Sequence, residues 1–273
     1  TQSRSSAASD VYKRQLQEYE CSFLGTGDTF VDGEILRQLA AQTSEEYYIK
    51  YNNKMREWQE PQAYYSYLIA CDTSLGRDRD YSAFHIINLY NGQQVAEFYS
   101  NRTPINDFAQ IIAQEAMLYN IAYVICERNT IGNNLIDWLY NIYEYENLWA
   151  DEKNDLGFQV TAKNRDILLA DLEEALRTDL IKINSTRTCD ELMTFIINEH
   201  GRVEAEKGYH DDLIMSLALS VYGYKNLLDT TPLEHVSKIP HRESPPMPSK
   251  QLKAPVKTFA GEITQEDLRW LMK

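Results

Sequence analysis

Two adjacent carboxylates, Asp211 and Asp212, stand at the start of a helical pattern of apolar and small residues. Acids in a first helical turn are favoured by the helix dipole, but Ile214 and Leu217 would pull the same turn toward the core. Carboxylates held at the edge of a core are costly unless they are paired or bound to a metal. The pair therefore indicates a divalent-metal site.

Two apolar runs earlier in the chain also stop at an acid. Residues 67–71 lead to Asp72, and residues 122–126 lead to Glu127. Continuous apolar runs of this length are typical of strands buried on both faces, and ligands bind at the ends of such strands in open α/β sheets. We expect Asp72, Glu127 and the Asp211/Asp212 pair to meet in one acidic cluster. Its hard oxygen ligands suit Mg²⁺ or Mn²⁺.

An acidic cluster of this kind predicts phosphoryl chemistry. Two divalent ions about 3.5–4 Å apart stabilise both the attacking and the leaving oxygen of an in-line displacement at phosphorus. Clustered carboxylates repel one another, so some of them should bind protons unusually tightly without metal. A single acid at a strand end is more often a turn or cap residue. The combination of acids at two strand ends and one helix start favours a functional site.

The overall charge limits how the chain can meet nucleic acid. Its formal net charge is −14, and no basic run is visible. A protein that grips DNA alone usually carries a basic face, so the charge argues against a standalone high-affinity DNA binder. It does not exclude an enzyme that meets DNA locally, through metals and a few cations.

The cysteines predict neither a zinc knuckle nor a disulfide framework. All four are widely spaced, and no CxxC pattern occurs. We expect all of them to be structural thiols in a reducing cytoplasm. No apolar run reaches membrane-spanning length and no signal peptide is visible, so no membrane association is expected.

The elements that must position these acids form an α/β pattern. With 273 residues and 43% hydrophobic content, a single α/β core is expected. Three early strands in a meander, followed by alternating helices and strands, predict a mixed sheet flanked by helices. Strands are predicted to end at Asp72 and Glu127 and to cover 82–89, 94–100 and 180–183; helices are predicted at 33–42, 105–118, 133–143, 164–177, 189–195 and 211–224.

Composition divides the chain into four parts. Residues 1–15 resemble a translated cloning leader, and residues 16–60 read as a connector. The core domain is expected at 61–226. Residues 227–273 are expected to form a Pro-rich linker that ends in an N-capped helix at 264–272. That helix would dock either on a partner or on its own domain.

Five segments, in the same order, resemble the nuclease domain of the large terminase subunit of tailed, T4-like bacteriophages. The resemblance covers residues 17–224 and implies an RNase H-like fold. It also implies a metal-dependent endonuclease that cuts concatemeric viral DNA during packaging. The matching segments are 19–26 (YECSFLGT), 70–83 (ACDTSLGRDRDYSA), 125–132 (ICERNTIG), 161–165 (TAKNR) and 208–213 (GYHDDL).

The resemblance assigns roles to the acids. The family's metal-bridging Asp falls on Asp72, and its strand-borne Glu falls on Glu127. The final acid falls on the Asp211/Asp212 pair, and the family pattern favours Asp212. Asp80 matches a further acid that would help to hold the second metal.

Two alternative roles are open for each of three other residues. Lys163 and Arg165 match a basic pair that would face the DNA backbone, or they are ordinary cations at a helix start. His210 would assist protonation or contact metal, or it would make a local hydrogen bond.

The resemblance also names partners. Large terminases carry a packaging ATPase domain in the same chain, and no GxxxxGK[ST] pattern occurs here. The sequence therefore resembles the nuclease half, whose partners would be double-stranded DNA, the portal protein and the small terminase subunit in the host cytoplasm. Two alternatives stay open: a Holliday-junction resolvase or other RNase H-like nuclease, and a catalytically silent module that docks on the portal.

Overall fold

The computed structural model describes residues 29–76 and 80–230, without the side chains of the last two residues, and the backbone of a short hairpin near residue 260. The strands are β1 Tyr48–Lys50, β2 Met55–Glu57, β3 Tyr67–Asp72, β4 Ser82–Asn88, β5 Gln94–Ser100, β6 Tyr123–Cys126, β7 Phe195–Ile197, β8 Val203–Ala205, β9 Lys257–Thr258 and β10 Gly261–Glu262. The helices are α1 Gly33–Gln42, α2 Ile105–Leu118, α3 Thr130–Asp137, α4 Ala162–Arg177, α5 Thr186–Met193 and α6 Asp212–Thr230, and a π-helical turn, Trp138–Ile142, continues α3.

A six-stranded mixed sheet organises the molecule. Its strand order is β1-β2-β5-β4-β3-β6. Strands β3, β4 and β5 form an antiparallel meander, and β6 lies parallel to β3. A meander followed by a parallel fourth strand beside the first is the RNase H-like arrangement, and the predicted fold class is confirmed.

Helices cover both faces of this sheet. Alternate residues of β3 divide between the two cores: Leu68 and Ala70 pack in the core that contains α4 and α6, whereas Ile69 and Cys71 pack in the core that contains α2. This follows from the two-residue period of a strand. Helix α6 crosses β3, β4 and β6 and contacts α4, so its first residue reaches the end of the sheet where β3 stops.

Several predicted elements are confirmed and some are wrong. The helices at 33–42 and 105–118 and the meander stand where the sequence placed them. The predicted strand at 180–183 is wrong, because this segment makes only an isolated bridge between Lys182 and Gln93 beside the β4–β5 turn. The helix predicted at 189–195 is instead α5, and Phe195 begins β7.

Two hairpins were not predicted. Strands β1 and β2 extend the main sheet into the segment that the sequence suggested was a connector. Strands β7 and β8 form a separate antiparallel ribbon. The predicted leader, the 19–26 motif and the 264–272 helix lie outside the described residues. Within the described part of the chain, no helix is both long and apolar enough to cross a bilayer.

Candidate active site

Asp72 and Glu127 lie side by side at the ends of parallel strands. Cys71 is in register with Cys126, and the Glu127 amide donates to the Cys71 carbonyl at 3.1 Å. Both acids are one residue beyond the paired cysteines, so both carboxylates lie on the opposite face from the thiols. That face is the one covered by α6.

The Asp72 carboxylate is strongly perturbed. Burial raises its pKa well above the ordinary value, and the charges of Glu127 and Asp212 and a hydrogen bond shared with Glu127 raise it further. The Thr73 amide, which donates to Asp72 Oδ1 at 2.7 Å, opposes this shift. Asp72 therefore stands at the electrostatic centre of the three predicted acids.

Asp212 begins α6, and its side chain is only 14% exposed. Burial raises its pKa to about 7, although the Tyr81 amide donates to it and opposes that shift. The charges of Asp211 and Asp80 add to the increase. The structure thus places Asp72 next to Glu127 and next to Asp212, and the exposed Asp80 is an electrostatic neighbour of Asp212.

Asp211 has a different environment from Asp212. Its Oδ2 accepts a hydrogen bond from Arg165 Nη2 at 3.0 Å. Arg165 also donates to the Val203 carbonyl at 2.8 Å and lies over the Phe195 ring at 5.9 Å. Arg165 therefore links α4, the β7–β8 ribbon and the start of α6. The neighbouring Lys163 is exposed on the first turn of α4.

The backbone at Glu127 is fixed by a close approach of α3. A Cβ on Gly132 would lie 1.8 Å from the Glu127 carbonyl oxygen, so only glycine fits there. Asn129 caps α3 by accepting from the amides of Ile131 and Gly132 at 2.9 and 2.7 Å. The strand-to-helix connection thus places Glu127 on well-supported backbone.

His210 lies between the acids and an aromatic pair. Its Nδ1 is 3.7 Å from Asp212 Oδ2, which is beyond hydrogen-bond distance. Its ring meets the edge of Tyr81 at a centroid separation of 4.8 Å, and Tyr81 stacks on Tyr99 at 4.0 Å. The local hydrogen bond considered above is not among these contacts.

Sequence reasoning did not single out Glu191, a buried acid beside Asp212. It lies in the last turn of α5 and is 8% exposed. Burial raises its pKa well above the ordinary value; a hydrogen bond from Tyr99 opposes this shift, and the charge of Asp212 adds to it. In the sequence Glu191 is one acid in a polar helical segment, and no spacing distinguishes it.

The donor set fits hard divalent cations. Carboxylate oxygens are the ligands that such ions prefer. Backbone amides are the groups that lower the pKa of Asp72 and of Asp212 against the effect of burial. The buried Thr73 Oγ1, in the residue after Asp72, has no hydrogen-bond partner. Within 29–76 and 80–230, however, no three acidic, His or Cys side chains converge into a complete metal-binding group. Asp72 instead has Glu127 and Asp212 as separate neighbours.

No protein-family model matches the sequence. The fold is similar to the large terminase nuclease from thermophilic phage G20c with bound cobalt, with a TM-score of 0.57, 20% identity, and coverage of 69% of this chain and 96% of that chain. The magnesium-bound form gives a TM-score of 0.57 and 19% identity over 69% and 96% of the two chains. The large terminase nuclease domain of Thermus phage P74-26 gives 0.55 and 19% over 70% and 95%. At this identity the likeness shows the fold, and the T4-like type stays a prediction.

Proposed function

We propose that this chain is a divalent-metal-dependent endonuclease that cuts concatemeric viral DNA during genome packaging. The observation that carries the proposal is that Asp72, at the end of β3, neighbours both Glu127, which follows β6, and Asp212, which begins α6. Neighbouring, partly buried like charges of this kind are costly in a purely structural role, and they are typical of sites that bind a cation. The fold shared with metal-bound terminase nucleases of phage G20c supports the same reading.

Asp72, Glu127 and Asp212 would hold two Mg²⁺ or Mn²⁺ ions, and Asp80 would be a further carboxylate for them. When bound, the ions would activate a water and stabilise charge on the attacking and leaving oxygens of the phosphodiester. We assign Asp212 rather than Asp211 as the main ligand, because Arg165 already engages the Asp211 carboxylate. The Thr73 amide holds the Asp72 carboxylate at the strand end.

Substrate contact would be local. Lys163 is exposed on the first turn of α4 and would meet the phosphate backbone. Arg165 would contribute to the same surface through its remaining guanidinium donors, while its ion pair holds Asp211. A net charge of −14 makes broad electrostatic capture of DNA unfavourable. We therefore infer that a packaging ATPase domain, the portal protein and the small terminase subunit supply most of the grip, in the host cytoplasm.

The direct test is cleavage of supercoiled plasmid by the purified chain with Mn²⁺, Mg²⁺ or EDTA. We expect metal-dependent, sequence-tolerant nicking and linearisation that Asp72→Asn abolishes. A matched control is Asp32→Asn, which removes the same charge. Asp32 caps α1 by accepting from the Glu34 amide at 2.8 Å, and Asn caps equally well.

Two results would overturn the proposal. Asp72→Asn that still cuts at the wild-type rate would remove Asp72 from the site. A chain that cuts with neither metal, and whose melting temperature responds to neither, would contradict the metal-dependent activity itself. Comparison of long linear duplex with four-way junctions then tests the substrate: strong junction preference would exclude a role in cutting packaged DNA.

A further inference from the structure

We propose that Glu191 and His85 are positioning residues that hold the first turn of α6, and so place Asp212 against Asp72. The inference rests on the proposed function, since it concerns the same metal site. Neither residue need touch metal or substrate. Both act through the backbone of Leu213, the residue that follows Asp212.

Glu191 satisfies the open amides of α6. The first amides of any helix have no partner within the helix. Here Glu191 Oε2 accepts from the Leu213 amide at 2.9 Å and from the Ile214 amide at 3.4 Å. The next amide, that of Met215, already donates to the Asp211 carbonyl at 2.8 Å. A carboxylate from another helix therefore serves as the cap of α6.

His85 holds the other side of the same residue. It is fully buried on β4, and its Nε2 lies 2.9 Å from the Leu213 carbonyl oxygen. A carbonyl only accepts, so Nε2 carries the proton and donates. Nδ1 is then the acceptor for Gln94 Nε2 at 2.7 Å. Leu213 is thus fixed through its amide by Glu191 and through its carbonyl by His85.

Both contacts lead back to α5. Gln94 Oε1 accepts from the amides of Asn184 and Ser185 at 2.8 and 3.0 Å, which also fixes the orientation of its side-chain amide. Ser185 caps the start of α5, and Glu191 lies in its last turn. The two ends of α5 are therefore both connected to Leu213. Glu191 reaches its amide directly, and Ser185 reaches its carbonyl through Gln94 and His85.

Accurate placement matters at a metal site. Residues that orient ligands typically change metal affinity by about 10–100-fold when they are removed. Asp212 is separated from Leu213 by one peptide bond, so any shift of the Leu213 backbone moves the Asp212 carboxylate. An ordinary buried glutamate would affect folding stability alone, and this difference makes the two readings separable.

The test is a Mn²⁺ titration by calorimetry and by thermal shift on wild type, Glu191→Ala and Glu191→Gln. Gln keeps an oxygen that accepts from the two amides, whereas Ala does not. We expect Glu191→Ala to weaken Mn²⁺ binding by about tenfold or more, and Glu191→Gln to stay within about threefold of wild type because the cap survives. The Mn²⁺ dependence of plasmid cleavage should shift in parallel.

A control variant isolates loss of stability from loss of placement. Glu115→Ala removes an acid that is 1% exposed and bound to Lys50 Nζ at 3.1 Å and Tyr51 Oη at 2.7 Å, in the core on the other face of the sheet. It should lower the melting temperature and leave Mn²⁺ affinity unchanged. If Glu191→Ala does not fold, His85→Gln and His85→Leu repeat the comparison, since Gln can still donate to the Leu213 carbonyl and Leu cannot.

Three outcomes overturn the inference. Glu191→Ala that binds Mn²⁺ as wild type does would leave Glu191 a structural residue. Glu191→Gln that loses Mn²⁺ as fully as Asp212→Asn would make Glu191 a direct ligand. Equal losses in His85→Gln and His85→Leu would remove the His85 contact from the argument. Failure of the wild type to bind Mn²⁺ contradicts the proposed function instead, so the two failures are distinguishable.

Discussion

Two acids on the same sheet, the fully buried Glu97 on β5 and the partly buried Asp72 on β3, differ in how the protein treats their charge. Glu97 accepts from Arg187 Nε at 2.7 Å and from Thr188 Oγ1 at 2.5 Å. Burial raises its pKa, but Arg187 and its hydrogen bonds outweigh burial, and the pKa lies below the ordinary value. For Asp72, burial and neighbouring carboxylates act in the same direction, and the pKa is raised.

The contrast separates an acid whose charge the fold compensates from one whose neighbours are also acids. Where an acid serves the fold, the chain supplies a cation and a hydroxyl of its own. At the strand ends it supplies further acids. Burial there is unfavourable for the isolated domain, because like charges oppose one another in a region of low dielectric. Metal binding would convert that unfavourable term into affinity.

The largest expected effect is that of Asp72→Asn. We expect cleavage to fall by about 10³-fold or more, since a bound ion contributes several kcal/mol of transition-state stabilisation. In EDTA the same variant should melt at a higher temperature than wild type, because one of several neighbouring, partly buried like charges has been removed. Differential scanning calorimetry of the variant and of wild type, in EDTA and in Mn²⁺, measures the melting temperatures. A variant that melts lower in EDTA would contradict the assignment of Asp72 as an unfavourably buried charge.

Arg187→Leu probes the structural side of the comparison. It leaves Glu97, which is fully buried, without its cation, and breaking such a pair costs about 3–5 kcal/mol. Urea unfolding should show this loss, and Mn²⁺ affinity should change far less than in Asp72→Asn. The double variant Arg187→Leu with Glu97→Gln should recover much of the stability. No recovery would mean that Arg187 contributes through packing rather than through its charge.

The pH dependence of the two acids should have opposite signs. The pKa of Glu97 is lowered, so its contribution to stability is present above its unfolded value of 4.5 and is lost as the pH falls. The pKa of Asp212 is raised to about 7, so its contribution is present below 3.8 and is lost as the pH rises through 7.

Metal affinity should follow the second of these titrations. Because Mn²⁺ competes with the Asp212 proton, its apparent Kd should weaken by about tenfold per pH unit as the pH falls below 7. Calorimetry in two buffers of different ionisation enthalpy would count the released protons. A pH-independent affinity between 5.5 and 7.5 would exclude a protonated carboxyl from the site.

The smallest effect is expected from Cys71→Ala. Cys71 is fully buried next to Asp72, but its side chain lies on the opposite face of β3. Loss of its sulfur should lower the free energy of unfolding by about 1–2 kcal/mol through the cavity it leaves. Cleavage by the folded protein should be unchanged. A selective loss of activity would indicate that the thiol face helps to set the strand ends.

Much of the site could be predicted because the alternation of side chains along a strand and the start of a helix are both encoded by neighbouring residues. Apolar runs that stop at Asp72 and Glu127 show both the strands and their ends, and the Asp211/Asp212 pair marks the start of α6. Structure alone distinguishes the environments of Asp211 and Asp212, since Arg165 is 46 residues away from Asp211 in the chain.

The missed features depend on long-range contacts. Glu191 is 22 residues from Leu213, and His85 is 128 residues from it. The periodicity of apolar residues in the sequence does not indicate contacts between residues so far apart. Strands β1 and β2 were missed because each has only three residues and lies in a charged, Tyr-rich segment. The apolar segment at 180–183 has strand composition, but it passes the β4–β5 turn instead of pairing along an edge.

The alternation of β3 has a consequence for how this chain can change. Leu68, Ala70 and Asp72 share one face only because each lies two residues after the one before it along an unbroken strand. An insertion or deletion of a single codon between Leu68 and Asp72 would turn the acid toward the α2 core, with every other residue kept. Insertions and deletions are therefore tolerable in the loops that flank the strand. Within the strand, only substitutions can be inherited without loss of the site.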